Sequence, residues 1–296
     1  MTLQALYDVP APAKLNLFLH IVGRRADGYH LLQSPFVLID WADQMHFERR
    51  GDSHITRHDL GPALPADDLC LRAARVLQAA SGTPLGANIS IHKHVPWGAG
   101  MGGGSSDAAS TLLALNRLWG LNWPRDRLAA LGLQLGADVP FFVGGQNALV
   151  EGIGESLTPV ALPPARYAVL KPAAGIATRE IFASQALKRD TEAVIVMGSL
   201  DDVQGAKHWA PGLEGFGTND LQVPAQQVCP EVAQAARWLE SHFGNSRMTG
   251  SGSAVFSRVG AEVSPDQAFP QTGLPAGWVG RMCRSLAEHP LRSWAG

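Results

Sequence analysis

The sequence predicts an α+β protein of two domains, with sheets and helices packed in layers. Three observations predict it. Residues 12–22 alternate with period two, residues 96–110 pass from a glycine-rich loop straight into a helical pattern, and residues 167–283 alternate strands with helices. With 296 residues, 46% of them hydrophobic, the chain can bury a large core. A net charge of -2 without a long basic run argues against nucleic acid as a partner. No eighteen-residue apolar run or signal-peptide pattern is present, which predicts a cytoplasmic protein that does not meet the membrane. Cys70, Cys229 and Cys283 lie far apart in apolar or amphipathic stretches and read as reduced, packed thiols.

Taken in order, residues 12–22 read as one strand, with Leu15, Leu17, Leu19 and Ile21 on one face and Lys14, Asn16, Phe18 and His20 on the other. Lys14 and Asn16 are therefore neighbours near its start. A polar turn at 23–30 presents Tyr29 and His30, and apolar runs at 36–39 and 45–47 predict two further strands. His46, His54 and His58 match no zinc spacing and read as solvated. Asp67 and Asp68 place carboxylates at the positive end of a helix carrying Leu69, Ala73, Val76 and Leu77. Residues 87–95 alternate again, and Lys93 shares the face of Ile89 and Ile91, an odd place for a charge unless it snorkels or meets a phosphate.

Beyond the glycine loop, Ala108, Leu112, Leu115 and Trp119 mark one side of a helix that stops at Gly120, and Pro124 opens a second. Asp138 follows that helix; a carboxylate so placed ordinarily caps a backbone group. Pro140 disfavours helix at Val139, so an extended or turning backbone is expected there. After a strand at 147–150, residues 159–164 are the expected domain boundary. The second half predicts a strand at 167–170, a helix capped by Thr178, a helix around 193–200, and an amphipathic helix over 230–243. A second glycine turn at 248–256 runs into a strand, and a last strand is expected at 277–283.

Function is most legible in Pro96, Trp97, Gly98, Ala99, Gly100, Met101, Gly102, Gly103, Gly104, Ser105 and Ser106. Glycine accepts positive φ and lets a ligand approach the backbone. The helix start adds unpaired N–H groups and about half a positive charge. Strand, glycine loop and helix N-terminus in succession make an anion site, most often for phosphate. A flexible Gly/Ser linker would lack these well-patterned flanks. The loop has neither the Gly-Lys-Ser/Thr ending of a Walker A loop nor the spacing of a dinucleotide fingerprint.

Three separated stretches, 12–17, 96–106 and 249–254, resemble the three motifs of the GHMP kinases, small-molecule kinases that use a glycine loop instead of a Walker A loop. Residues 13–19, 25–30, 87–91, 135–140, Ala177-Thr178 and Ile181-Phe182 are similar to one branch of that superfamily. That branch phosphorylates the 2-hydroxyl of 4-diphosphocytidyl-2-C-methyl-D-erythritol in the non-mevalonate route to isoprenoid precursors. The resemblance implies an N-terminal ATP-binding domain over 1–160, of the ribosomal-protein-S5-like α/β type, and a C-terminal ferredoxin-like α/β sandwich over 161–296. It implies ATP as co-substrate, Mg²⁺, and a small-molecule substrate carrying a cytidine diphosphate group.

Residue by residue, the resemblance makes 96–106 the ATP cradle, Asp138 the base and Lys14 its charged partner at the transferring phosphoryl group. It gives the substrate Asn16, Tyr29, His30, Lys93, Thr178 and Phe182, with the aromatic rings about the cytosine, and it assigns no Mg²⁺ ligand. Asp68 stands where relatives often carry asparagine before a leucine. Two other readings are a GHMP kinase for another alcohol, such as homoserine or mevalonate, and a non-catalytic nucleotide-binding regulator. Tyr29, His30 and Phe182 argue against the first. The second could lose Lys14 or Asp138 freely, and both are present. The sequence leaves the oligomeric state open.

Overall fold

A computed structural model of the chain describes residues 3–194, 207–208, 217–264 and 266–296. β1 (Ala5–Asn16) and β2 (His20–Arg24) pair along one edge of a 21-residue strand, β3 (His30–Arg50). β3 merges the two short strands expected at 36–39 and 45–47. β4 (Ile55–Asp59) lies parallel to β5 (Gly86–His92), and β5 and β6 (Ala148–Gly152) share the other edge of β3. β7 (Ser156–Ala161) continues the sheet from β6 to β9 (Lys207–His208). A second, antiparallel sheet has the order β10 (Arg247–Met248), β11 (Val255–Arg258), β8 (Arg166–Lys171), β12 (Val279–Arg284).

Strand alternation builds the layers. On β3, Phe36 and Leu38 enter a core with α1 (Leu69–Ser81), α2 (Gly103–Leu118), α3 (Arg125–Leu133) and α4 (Val139–Gly144). Val37 and Ile39 face the other way, into a core shared with Tyr167, Val169 and Phe256 of the second sheet. The far side of that sheet is covered by α6 (Gln222–Val228) and α7 (Pro230–Phe243), through Ala225, Val232, Ala235 and Leu239. The order is helices, sheet, sheet, helices. The short α5 (Thr178–Ala183) lies between β8 and α6 along the chain. Cys70, Cys229 and Cys283 are free and buried, and burial raises the thiol pKa of Cys70 and Cys283. Among the described residues no helix is long and apolar enough to cross a membrane.

Several local expectations are corrected. Residues 12–22 are not one strand: β1 ends at Asn16, and Leu17–Leu19 leave the ladder to bond elsewhere, Leu17 N to Pro35 O and Leu19 N to Thr218 O. A register shift between Pro12 and Lys14 also switches faces. Val9 and Ala11 sit in the helix-side core, whereas Ala13 and Leu15 sit between the sheets. The bulge therefore turns Lys14 toward α2 and α4, a re-aiming that bulges commonly serve. Val139 is helical, since it is the first residue of α4 and Pro140 the second. In a first helical turn a missing N–H breaks no helix bond. Thr178 is the first residue of α5 and not its cap; Ala177 holds that position, and the Thr178 hydroxyl bonds Ser251 Oγ at 2.7 Å. β7 passes through Pro159 to Ala161, so the strand occupies the first half of the expected boundary. The helix expected around 193–200 falls almost wholly outside the described residues.

The C-terminal tail returns to the first sheet, where Leu286 N bonds Leu38 O and Leu291 enters the helix-side core. Here His289 is buried, its Nδ1 accepting from Leu291 N at 3.1 Å. Burial, with Arg125 adding to it, lowers its pKa to about 3. A group whose folded pKa is depressed stabilises fully above its unfolded value and loses that contribution as pH falls toward the folded one. Acidification from pH 7.5 to 5 therefore costs about 2 kcal/mol through His289. His289→Asn keeps an acceptor for Leu291 N but cannot titrate. Its urea-unfolding free energy should lose about 2 kcal/mol less over that interval.

Candidate active site

The glycine loop forms an anion nest. Gly98, Gly100 and Gly102 have φ of 59°, 72° and 70°, while Ala99 and Met101 between them are not in that region. This alternation turns successive N–H groups to one side. It leads into the first turn of α2, whose N–H groups have no acceptor within the helix. Gly100 admits no side chain, because a Cβ there would lie 2.3 Å from Thr249 O. The third motif closes on the loop from that side: Ser253 N bonds Gly98 O at 3.0 Å and Ala254 N bonds Ala99 O at 3.2 Å. Asn219 braces the turn by donating to Met248 O and Gly250 O, both at 2.8 Å. In front of the loop lies a cavity of about 400 Å³, lined by residues 96–105 and by the start of α1. A larger cavity, about 550 Å³, lies away from these residues, around Tyr167, Phe243 and Phe256.

Lys14 lies beneath the loop. A Cβ on Gly102 would sit 3.4 Å from its Cε. Its Nζ donates to Asn16 Oδ1 at 2.5 Å, stands 3.7 Å from Asp138 Oδ2 and lies 4.2 Å from the centre of the Phe36 ring. Burial lowers the Lys14 pKa, and Asp138 offsets only part of that. Asn16 is fixed in turn: Nδ2 donates to Ser34 Oγ at 2.8 Å, and its backbone N–H donates to Thr249 Oγ1 at 2.9 Å. The Asp138 side chain is one-third exposed and makes no capping bond to α4. Its carboxylate faces the lysine and remains partly open to solvent.

Lys93 neither snorkels nor stands free. β5 ends at His92, and the Lys93 ammonium contacts Asp43 and lies 2.6 Å from Asp107 Oδ2. Asp43 also accepts from His94 N at 2.6 Å and Val95 N at 2.8 Å, which pins the chain as it enters the loop. Burial opposes the Lys93 charge, but Asp107 and Asp43 outweigh it and raise the pKa. Burial, with Asp43 adding, raises that of the Asp107 carboxyl. Asp68 is spoken for as well: it caps α1 by accepting from Leu71 N at 3.0 Å and pairs with Arg57 at 2.8 Å. Among the described residues no group of three His, Cys, Asp or Glu side chains could hold a metal ion.

At the other end of the site, His30 and Phe182 face each other across the two halves of the chain, ring centroids 5.1 Å apart at 32°. Tyr29 beside them is 62% exposed.

The family profile described as GHMP kinases N terminal domain matches residues 68–146. The 4-diphosphocytidyl-2-C-methyl-D-erythritol kinase of Methylibium petroleiphilum is 63% identical over 297 residues, covering all of both chains. The enzyme of the same name from Polaromonas naphthalenivorans is 56% identical over 99% of this chain and 97% of its own. The chain belongs to this kinase family. A crystal structure of 4-(cytidine 5'-diphospho)-2C-methyl-D-erythritol kinase, 33% identical, covers 93% of this chain and 98% of its own with a TM-score of 0.72. The α+β layers described above are thus the GHMP kinase fold.

Within this kinase family's motifs, the fold brings Lys14, Asn16, Asp138 and the loop 96–106 together. It also joins His30 to Phe182 and sets Thr178 against the third motif at Ser251. Lys93 lies at the other side of the loop, lining the cavity within its carboxylate pair. Sequence reasoning missed Asp43, Ser34 and Arg189. The site side chains they bind, Lys93, Asn16 and His30, are 50, 18 and 159 positions away along the chain, and no local pattern marks them.

Proposed function

We propose that the chain transfers the γ-phosphoryl group of ATP to the 2-hydroxyl of 4-diphosphocytidyl-2-C-methyl-D-erythritol, giving the 2-phosphate and ADP. In this reading residues 1–160 bind ATP and 161–296 complete the substrate site. Mg²⁺ enters with ATP as part of that substrate. The triphosphate lies along the nest at Gly98–Gly102 and the start of α2, with the nucleoside in the cavity before it. The cytosine lies among Tyr29, His30 and Phe182, where base stacking contributes about 1–3 kcal/mol. Asp138 orients the 2-hydroxyl and takes its proton as the oxygen–phosphorus bond forms and the bond to ADP breaks. Lys14 meets the charge on the transferring group. Such a transfer is loose and charge-rich, so positioning and fixed charge carry most of the catalysis.

One observation carries the reading: two groups 124 positions apart, Lys14 and Asp138, meet at 3.7 Å beside Gly102. Incubation of the protein with Mg-ATP and this alcohol, followed by phosphorus NMR, should show a new phosphomonoester signal together with ADP. An intact protein that turns over homoserine or mevalonate instead, or no alcohol, would reject it.

A further inference from the structure

Arg189 belongs to none of the motifs, yet both walls of the base site meet on it. Its Nε donates to His30 Nε2 at 3.1 Å. Nη2 donates to the carbonyls of Phe182 at 3.3 Å and Ser184 at 2.9 Å, and Nη1 to Leu187 O at 3.0 Å. His30 begins β3 of the first sheet, whereas Phe182 and Ser184 end α5 in the other half of the chain. One planar guanidinium therefore ties the helix end to the imidazole, with each of its three nitrogens bonded. A lysine has no such fork of donors. The arrangement also decides the state of the histidine. An N–H on Nε2 would point at the N–H of Arg189, so Nε2 must be the acceptor and Nδ1 carries the proton.

We propose that Arg189 is a positioning residue of the pyrimidine site, holding His30 as the neutral Nδ1–H tautomer beside Phe182 so that both rings are fixed before the nucleotide binds. The ligand in this statement rests on the function proposed above. Fixing the two rings in advance spares the ligand the entropic cost of ordering them on binding. The surroundings favour the neutral ring. Burial lowers the His30 pKa, and the charged groups acting on it, Arg189 after α5 and Arg24 on β2, are both cations that lower it further. The site should therefore keep its form in mildly acidic solution.

The test begins with the unaltered protein. Nitrogen-15 NMR of His30 should show the Nδ1–H tautomer and a pKa below the usual value of about 6.5. An Nε2–H tautomer, or titration at or above that value, would overturn the proposal without any variant having to fold. In Arg189→Ala and Arg189→Lys, the dissociation constant for CDP should rise about tenfold, and that for a non-hydrolysable ATP analogue should stay within about twofold. The His30 pKa should climb toward its ordinary value in Arg189→Ala. Folded variants that hold CDP as tightly as the parent would also overturn it. If the unaltered protein binds no CDP at all, the functional reading fails, and with it the pyrimidine role given to Arg189.

Discussion

Asp138→Asn lowers kcat about a thousandfold, within the span usual for loss of a positioned general base. Asparagine keeps the shape of the side chain and its place before α4 but cannot accept the proton of the attacking hydroxyl. The fold should hardly notice. Asp138 is one-third exposed, makes no capping bond, and pairs with Lys14 at 3.7 Å. Such partly solvated pairs contribute about 0–1 kcal/mol. ATP should bind the variant as before, because its phosphates rest on the loop backbone. A kcat near that of the parent, measured at saturating concentrations of both substrates, would remove Asp138 from its role.

Lys14→Met separates activity from stability, because the two should move in opposite directions. The ammonium is buried, with one short bond to Asn16, a phenyl ring beneath it and a carboxylate at one side. Burial holds its pKa below the ordinary lysine value, and an arriving anion would raise it. That is the character of a group reserved for a transferring phosphoryl: desolvated, fixed and short of counter-charge. Loss of one such donor commonly costs about 10²–10³ in kcat. Methionine fills nearly the same volume without a charge to desolvate; Asp138, left without its partner, is one-third exposed to water, and Asn16 Oδ1 still accepts from the Thr249 hydroxyl at 3.3 Å. The variant should therefore unfold at equal or higher urea concentration than the parent while losing turnover. A variant that is inactive and also several kcal/mol less stable would make Lys14 a structural residue.

What could be read from the sequence was mostly local. The cap of α1 at Asp68, the loop running into α2, and α7 from Pro230 to Phe243 each follow from residues within a few positions of one another. What could not be read depends on contacts far along the chain. Alternation alone predicts one strand over 12–22, but the register shift against β3 turns Lys14 toward the helices, and pairing with residues 35 and 218 breaks the strand after Asn16. Proline statistics likewise misplace Val139, because they do not see that α4 begins there. The glycine loop reads as a phosphate site from the sequence alone, whereas the lysine under it is interpretable only through the resemblance to a family. A lysine near a strand start is ordinarily solvated, and its burial comes from β3, α2 and α4 together. Lys93 shows the same limit: the odd apolar placement was visible, but the two carboxylates that account for it, Asp43 and Asp107, sit 50 positions before it and 14 after.

The account is tested most directly by the structure of a ternary complex with a non-hydrolysable ATP analogue and 4-diphosphocytidyl-2-C-methyl-D-erythritol. It predicts the 2-hydroxyl within about 3 Å of an Asp138 carboxylate oxygen, the terminal phosphate between that hydroxyl and Lys14 Nζ, and the cytosine against the Phe182 ring beside Tyr29 and His30. A complex in which the hydroxyl lies away from Asp138, or in which the triphosphate bypasses the loop at Gly98–Gly102, would contradict it.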